Sequence, residues 1–376
     1  MIFRPPLRIR CFIRCDMITA APTPHISVIV PVYNGGENFR RCLDALTATG
    51  YANYEIVVVD DGSTDGSAGL AERNGCRVLH TSEPRSGPAV ARNLGVQAAS
   101  GDVVFFVDAD VAVRPETVGL VAGTFAEDPG LAALFGSYDN APGAPNFLSQ
   151  VKNLFHHYVH QHSAEQAASF WSGCGAMRRD VFLRHGGFDT ERYRRPCIED
   201  IELGYRVTRS GGRIRLVKAL QVKHLKRWTV TSLLRSDILD RGIPWTRLLL
   251  REKAFANDLN LQTHNRVSVA TTWLLALCLV TGFILPWLWL IAAGAAGLLL
   301  ALNWPVYRWF AGQRGWPFTL AVIPWHWLYY SYNGVSFAAG LGAHLLDQRA
   351  GSGERCPANQ PAADASQSTD AESAGA

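Results

Sequence analysis

The stretch 103-VVFFVDADVAV-113 can be read from its ends. Val103 to Val107 are apolar or aromatic and follow the turn-forming Gly101 and Asp102, which is the pattern of a strand buried on both faces. The run then closes on Asp108 and Asp110, two carboxylates one residue apart. At the carboxyl end of a buried strand such charges repel each other unless something positive lies beside them. A divalent cation is the simplest partner. Oxygen ligands suit Mg²⁺ or Mn²⁺, and Mg²⁺ is commonly held by one or two carboxylates while substrate phosphates supply further ligands.

Upstream, strand and helix patterns alternate. The β-rich runs 27-SVIVPVY-33, 54-YEIVVVD-60 and 76-CRVLH-80 predict strands. Between and after them, Phe39, Cys42, Leu43 and Leu46 recur at helical spacing, 64-TDGSAGLAERNG-75 reads as a short helix closed by Gly75, and 87-GPAVARNLGVQAASG-101 as another. Repeated β-α units predict a mostly parallel, Rossmann-like α/β sheet with helices on both faces. In such sheets ligands bind beyond the carboxyl ends of the strands. Tyr33 and Asn34, Asp60 and Asp61, Arg85 to Gly87, and Asp108 with Asp110 are therefore expected on one rim.

Downstream the pattern is less regular. A helix is expected in 147-FLSQVKNLFHHYVHQHSAEQAA-168, followed by 170-FWSGCGAMRRDVFLRHGGFD-189 and 194-RRPCIEDIELGYRVTRSG-211, with 213-RIRLV-217 and 220-LQVKH-224 as closing strands. The histidines of FHHYVHQH include His156 and His160 at the i, i+4 spacing of a zinc pair, but no carboxylate motif accompanies them. A polar helix face near an acceptor is the favoured reading.

The chain has 376 residues and 48% hydrophobic content, and eight of its eleven tryptophans lie after Ala270, where charges almost vanish. A globular first part and a membrane-bound last part are expected. The net charge of +4 and the lack of a basic run interleaved with aromatics argue against nucleic acid. Eight scattered cysteines without a CxxC pair fit a reducing compartment better than a disulfide framework or a zinc site. The basic start is broken by Pro5 and Pro6, so it lacks a signal-like apolar core, and Met17 is an alternative start.

Four segments carry a resemblance: 28-VIVPVYNGGENFRRCLDAL-46, 56-IVVVDDGSTDGS-67, 87-GPAVARNLGVQAASGDVVFFVDADV-111 and 186-GGFDTERYRRPCIEDIELGYRV-207. In this order they resemble the signatures of the family 2 glycosyltransferases, over roughly residues 25 to 230. The resemblance implies the GT-A fold, a nucleotide-sugar donor (usually a UDP-sugar) and inversion at the anomeric carbon. It also implies that Pro31, Tyr33, Glu37, Asp60, Asp61 and Arg92 surround the nucleoside, that Asp108 and Asp110 hold a metal on the diphosphate, and that Asp200 is the catalytic base, with Glu199 as a second candidate. Arg85 is a further donor-side candidate. His224 is a candidate metal or diphosphate ligand, or a structural histidine. On the acceptor side the candidates are Trp171 and Cys174, where packing is the alternative, Arg194 and Arg195, where plain solvation is the alternative, and Arg227 with Trp228. The last two resemble the RW end of a motif in processive polysaccharide synthases. Here, however, the preceding residues are HLK rather than a glutamine, and processivity is not expected.

The expected organisation is an N-terminal extension (1–24), a GT-A domain (25–224), an amphipathic segment at the membrane surface (225–266), a transmembrane region (267–346) and a disordered tail (347–376). Ordinary surface helices are the alternative for the amphipathic segment. Uncharged runs of nineteen residues (267–285) and twenty-one (287–307), separated by Pro286, have spanning length, and 316–346 is a weaker third. Arg247, Arg251, Lys253 and Arg266 before the first run, and Arg308 and Arg314 after the second, put both flanks on the cytoplasmic side of an inner membrane. The expected partners are a nucleotide sugar, a lipid or lipid-linked acceptor and the membrane. Rival readings are a polyprenyl-phosphate glycosyltransferase, a membrane-bound nucleotidyltransferase, which lacks its glycine-rich, lysine-bearing loop after the first strand, and a non-catalytic scaffold.

Overall fold

The computed structural model describes residues 23–252 and 262–350. The alternative start at Met17, the basic flank at Lys253, nearly all of the N-terminal extension, part of the amphipathic segment and most of the tail lie outside the described residues.

In chain order the first half comprises β1 (Ile26–Val32), α1 (Gly36–Thr47), β2 (Tyr54–Asp60), α2 (Ser67–Arg73), β3 (Arg77–His80), α3 (Pro88–Ala98), β4 (Val103–Val107), β5 (Val111–Ala112), α4 (Thr117–Glu127) and β6 (Leu131–Tyr138). Then follow α5 (Phe147–His162), β7 (Gln166–Ala167), β8 (Cys174–Arg178), α6 (Arg179–Arg184), α7 (Glu199–Arg209) and β9 (Arg213–His224). The helices form where the sequence favours them. Pro88 stands in the first turn of α3, where its missing N–H costs nothing, and α1 buries Phe39, Cys42, Leu43 and Leu46 along one stripe.

The sheet runs β3-β2-β1-β4-β8-β6-β9-β5, with β7 on β9. The first four strands are parallel, but β8 is antiparallel to both β4 and β6, so the sheet is mixed rather than mostly parallel. The reason lies in the connections. β8 enters from the rim at Trp171 and runs back against β4, whereas β2, β3 and β4 each return through a helix to the opposite end. The two short closing strands expected at 213–217 and 220–224 are one twelve-residue strand, β9, whose register against β6 shifts opposite Gly136.

Alternation along the strands fills two cores. Val28, Val30, Phe105 and Val107 face α1 and α4, while Ile29, Val104 and Phe106 face the α3 side. Phe106 meets Phe170, Phe182 and Phe188 with ring centroids 6.2, 5.5 and 5.4 Å away. At the register shift, a Cβ on Gly136 would lie 2.1 Å from the Leu220 carbonyl oxygen. Gly136→Ala must therefore push β6 and β9 apart. A loss of about 1–3 kcal/mol is expected, read as a lower midpoint in thermal unfolding of the full chain.

Beyond β9, α8 (Val230–Arg235), a π-helical segment (Ser236–Gly242) and α9 (Ile243–Glu252) lead to α10 (Thr263–Thr281) and α11 (Leu288–Ala350). The last helix is interrupted at Gly315, whose φ of +79° is open to glycine and strained for other residues. The chain reverses there. Tyr330 Oη donates to Asn303 Oδ1 at 2.7 Å and Trp327 Nε1 to Tyr307 Oη at 3.2 Å, so the two arms pair as an antiparallel hairpin. The apolar runs expected at 267–285, 287–307 and 316–346 correspond to α10 and these two arms. Among the described residues only α11 is long and apolar enough to cross a membrane by length and composition. Phe283 is 81% exposed, Ile284 80% and Leu290 78%, an unusual density of bare apolar surface. Inside, Val151 and Leu154 of α5 pack on Val306, Tyr307, Phe310 and Val322, which seats the hairpin against the globular part.

Candidate active site

The carboxyl ends of β1, β2 and β4 open on one rim, as their parallel run requires. At the β2 end Asp61 is buried and organises the loop ahead of α3. Its carboxylate accepts from Thr81 Oγ1, Ser86 N and Gly87 N, each at 2.8 Å. Asp60 accepts from Ser63 N at 3.2 Å and lies 3.4 Å from His80 Nδ1. The loop carries Arg85 in the left-handed region (φ +61°), and its Nε donates to Tyr33 Oη at 2.6 Å while the guanidinium covers the Tyr33 ring. Tyr33 is exposed and Pro31 lies in β1 opposite Val59, so a cationic and aromatic corner faces the rim. Glu37 is exposed in the first turn of α1 and ion-paired with Arg40.

The central feature is Arg92. Brought by α3 beneath the rim, its guanidinium is buried and donates to Asp108 Oδ1 at 2.7 Å and to Glu199 Oε1 at 2.9 Å. One cation thus links the end of β4 to the start of α7. Glu199 is buried, and its second oxygen accepts from Cys197 N at 2.9 Å, so each oxygen is engaged by a protein donor. Asp200, the next residue, is partly exposed. Ser172 N and Oγ donate to its Oδ2 at 2.9 and 3.0 Å, and Ile201 N to its Oδ1 at 2.8 Å. It is close enough to Asp108 to hinder that group's ionisation.

Asp108 and Asp110 differ in electrostatics. Burial, reinforced by the Asp110 charge, raises the Asp108 carboxyl above its usual range against the pull of Arg92. For Asp110 burial acts in the same sense, but His224 and Lys226 outweigh it and hold the carboxyl at about 2. His224 Nε2 lies 3.7 Å from Asp110 Oδ2, and its ring stacks on Tyr138 at 4.1 Å. Both carboxylates retain about 30% side-chain exposure toward the cleft. This donor set fits a hard divalent cation whose shell a phosphate ligand completes. Among the described residues no group of three or more His, Cys, Asp and Glu side chains could hold a metal by itself.

The acceptor-side candidates separate. Trp171 is half-buried against Tyr138, His156 and His160, with centroids 4.9, 4.6 and 5.6 Å away, and forms one wall. Cys174 is fully buried in β8 beside Val107, where burial raises its thiol, so contact with an acceptor is closed to it. Arg195 is engaged with Asp240 and the Leu239 carbonyl, each at 3.2 Å, whereas Arg194 and Arg227 are exposed. Trp228 is buried against Leu233 and Tyr332, joining the globular part to the hairpin, with its ring centroid 6.4 Å from that of His224. Of the four α5 histidines, His156, His157 and His160 turn inward, whereas His162 at the helix end is exposed. His157 and His160 bond the Tyr138 and Gly136 carbonyls at 2.7 and 2.9 Å, and burial depresses His160 to about 4 and His156 well below its usual value.

Three residues that the sequence reading passed over join the site: Ser172, Tyr138 and Arg241. Ser172 lies in the WSG turn and could have been noticed there. Tyr138 ends a strand with no polar motif. Arg241 sits on the π-helical segment, where the charge of Asp237 acts on it first and those of Tyr138, Asp200 and Asp108 after it.

Residues 27–186, less than half of the chain, match the family described as Glycosyl transferase family 2. The chain is 41% identical over 98 residues to the uncharacterized glycosyltransferase YibD of Escherichia coli, a stretch covering 25% of this chain and 28% of that protein. It is 40% identical over 98 residues to glycosyltransferase GlyG of Streptococcus pneumoniae, covering 25% and 32%. The chain thus spans about a third or less of these curated relatives. Among solved structures, mannosyltransferase PcManGT from Pyrobaculum calidifontis, in complex with GDP-Man and Mn²⁺, is similar with a TM-score of 0.52 at 18% identity, covering 86% of this chain and 88% of that one. At that identity the likeness concerns the fold alone.

Proposed function

We propose that this chain is a membrane-anchored, metal-dependent, inverting glycosyltransferase that moves a sugar from a nucleotide sugar, most simply a UDP-sugar, to a hydroxyl of a lipid or lipid-linked glycan. The observation that carries the reading is buried Arg92, which bonds both Asp108 and Glu199 at the carboxyl edge of the sheet. It ties the proposed metal-side carboxylate to the start of α7, where the proposed base Asp200 follows Glu199.

In this reading Tyr33, Pro31, Asp60, Asp61 and Arg85 receive the nucleoside, with Arg92 acting from beneath through Asp108. Asp108 and Asp110 would hold Mg²⁺ or Mn²⁺, with His224 behind Asp110, and the ion would neutralise charge on the departing diphosphate. Asp200 takes the proton of the attacking hydroxyl, its carboxylate steered by the two Ser172 donors. Trp171 lines the sugar's side of the cleft and helps exclude water. The anchor reading rests on the apolar surface of α10 and α11, with residues 225–266 at the interface and the catalytic domain (25–224) on the cytoplasmic face of an inner membrane. A soluble acceptor would not require a cleft held against such a hairpin.

The reading is tested by incubating membranes containing the full chain with labelled nucleotide sugars and extracting the lipids. The expected result is label in the lipid phase with release of a nucleoside diphosphate, both abolished by chelator and restored by Mg²⁺ or Mn²⁺. Pyrophosphate release would identify a nucleotidyltransferase instead. Asp110→Asn should lower metal-dependent turnover by about 10²-fold or more, because it removes the carboxylate that stays charged most readily.

A further inference from the structure

Asn93 stands next to Arg92 on α3 but turns to another part of the chain. Its Nδ2 donates to Phe188 O at 2.8 Å and its Oδ1 accepts from Phe188 N at 2.9 Å. One amide thus takes both backbone groups of one residue, as a neighbouring strand would, and the Phe188 N–H settles which side-chain atom is the oxygen. The approach needs a glycine beside it. Gly187 has a φ of +70°, and a Cβ there would lie 2.7 Å from Asn93 Oδ1. The ring of Phe188 fixed in this way is buried and backs the Arg92 guanidinium, whose Cζ lies 5.8 Å from its centroid. Arg92 Nε finds no acceptor among the described residues, so that ring and the bonds to Asp108 and Glu199 hold the group.

The same segment is gripped from the other side by α7. Arg206 donates to Gly187 O at 2.7 Å and to His185 O, while Glu202, one turn before it, accepts from its Nε at 2.8 Å. α3 and α7 are therefore fastened twice. Arg92 holds Glu199 in the first turn of α7, and Asn93 holds Arg206 in its last turn by way of residues 185–188. The two fastenings lie about 10 Å apart along the helix. A helix held at one point can pivot, and held at two it cannot. Asp200 follows the first point, so its carboxylate inherits the angle that the pair sets.

We infer that Asn93 is a positioning residue for the proposed base: by clamping Phe188 it keeps the Arg92 guanidinium seated and α7 at a fixed angle to α3, so that Asp200 stays aimed at the attacking hydroxyl. This rests on the cleft being a sugar-transfer site with Asp200 as base, and adds a residue that acts only through Phe188. Moving reacting groups by about 1 Å costs on the order of 10²-fold in turnover. The nucleoside corner at Tyr33, Asp60, Asp61 and Arg85 shares no bond with the clamp and should keep its affinity.

The test measures steady-state transfer by the full chain in membranes, and UDP affinity with Mn²⁺ in detergent, both well below the unfolding midpoint of each variant. N93A removes the clamp, and N93D keeps the side-chain size and the acceptor for Phe188 N but sets an oxygen against Phe188 O. Both are expected to lower kcat by about 10- to 100-fold. UDP affinity should change by less than about threefold, the mark of an interaction lost at the chemical step alone. R206K should act alike, since one ammonium cannot serve two carbonyls and Glu202 in the fork geometry. Combined, N93A and R206K should lose hardly more turnover than either alone, because both open the same fastening. Losses that multiply to within about twofold would mark two independent sites and overturn the inference. So would near-normal kcat in N93D, or UDP affinity falling as far as turnover. Failure of both N93A and N93D to fold would leave the clamp a structural element and also overturn it. A parent chain that consumes no nucleotide sugar sinks the transfer reading and this inference together, whereas an active parent whose variants miss the expected split sinks this inference alone.

Discussion

Replacing Asp200 by Asn is expected to lower transfer to a hydroxyl acceptor by roughly 10²–10⁴-fold while leaving the fold intact, since that is the usual contribution of a positioned general base. Asparagine keeps the size of the side chain and its oxygen can still accept from Ser172 while its amide replaces the oxygen that meets Ile201 N, so turnover is read against the unfolding midpoint of the same variant. The measurement is turnover with saturating donor, alongside thermal unfolding to confirm an unchanged midpoint. The same variant discriminates between acceptors. A phosphate acceptor is already ionised and hardly needs a base, so a loss below about tenfold would favour direct attack by a lipid phosphate. Near-normal turnover with a proven hydroxyl acceptor would remove Asp200 from the mechanism.

Arg92→Met should be the most damaging single change in the cleft. Its guanidinium is the shared counter-ion of Asp108 and Glu199, and both carboxyls are already raised by burial despite it. Removing one partner of a buried pair costs about 3–5 kcal/mol, because the charge left behind is neither solvated nor paired. The pH dependence has a definite sign. Carboxyls whose folded-state pKa lies above the unfolded value of about 4 favour folding most at acid pH and progressively less as pH rises through the folded value. The variant should therefore be relatively most stable in acid. Metal binding should move the other way, recovering as pH rises and Asp108 ionises. Denaturant unfolding and Mn²⁺ titration between pH 5 and 9 would test both, and an unfolding midpoint equal to that of the parent chain would contradict the hub role. Arg92→Lys should recover only part of the loss, since one ammonium cannot donate to both carboxylates in the fork geometry.

The strands 27–33, 54–60, 76–80 and 103–107, the helices after them and the placing of Asp60, Asp61, Asp108 and Asp110 on one edge were legible in the sequence. They follow from local periodicity and from the single rule that parallel strands share an open end, so no distant contact has to be known. Contacts between distant residues decided the rest. Nothing local distinguishes Glu199 from Asp200, and only Arg92, 107 residues upstream of Glu199, engages one and leaves the other to Ser172. Cys174 and Trp228 stand in polar-looking stretches and are buried because sheet pairing and the hairpin cover them. The reversal of β8 likewise depends on strands far apart in the chain. A one-dimensional pattern records which face a residue turns to the core of its own element. It carries no signal for which distant charge, ring or carbonyl will meet that residue once the elements pack.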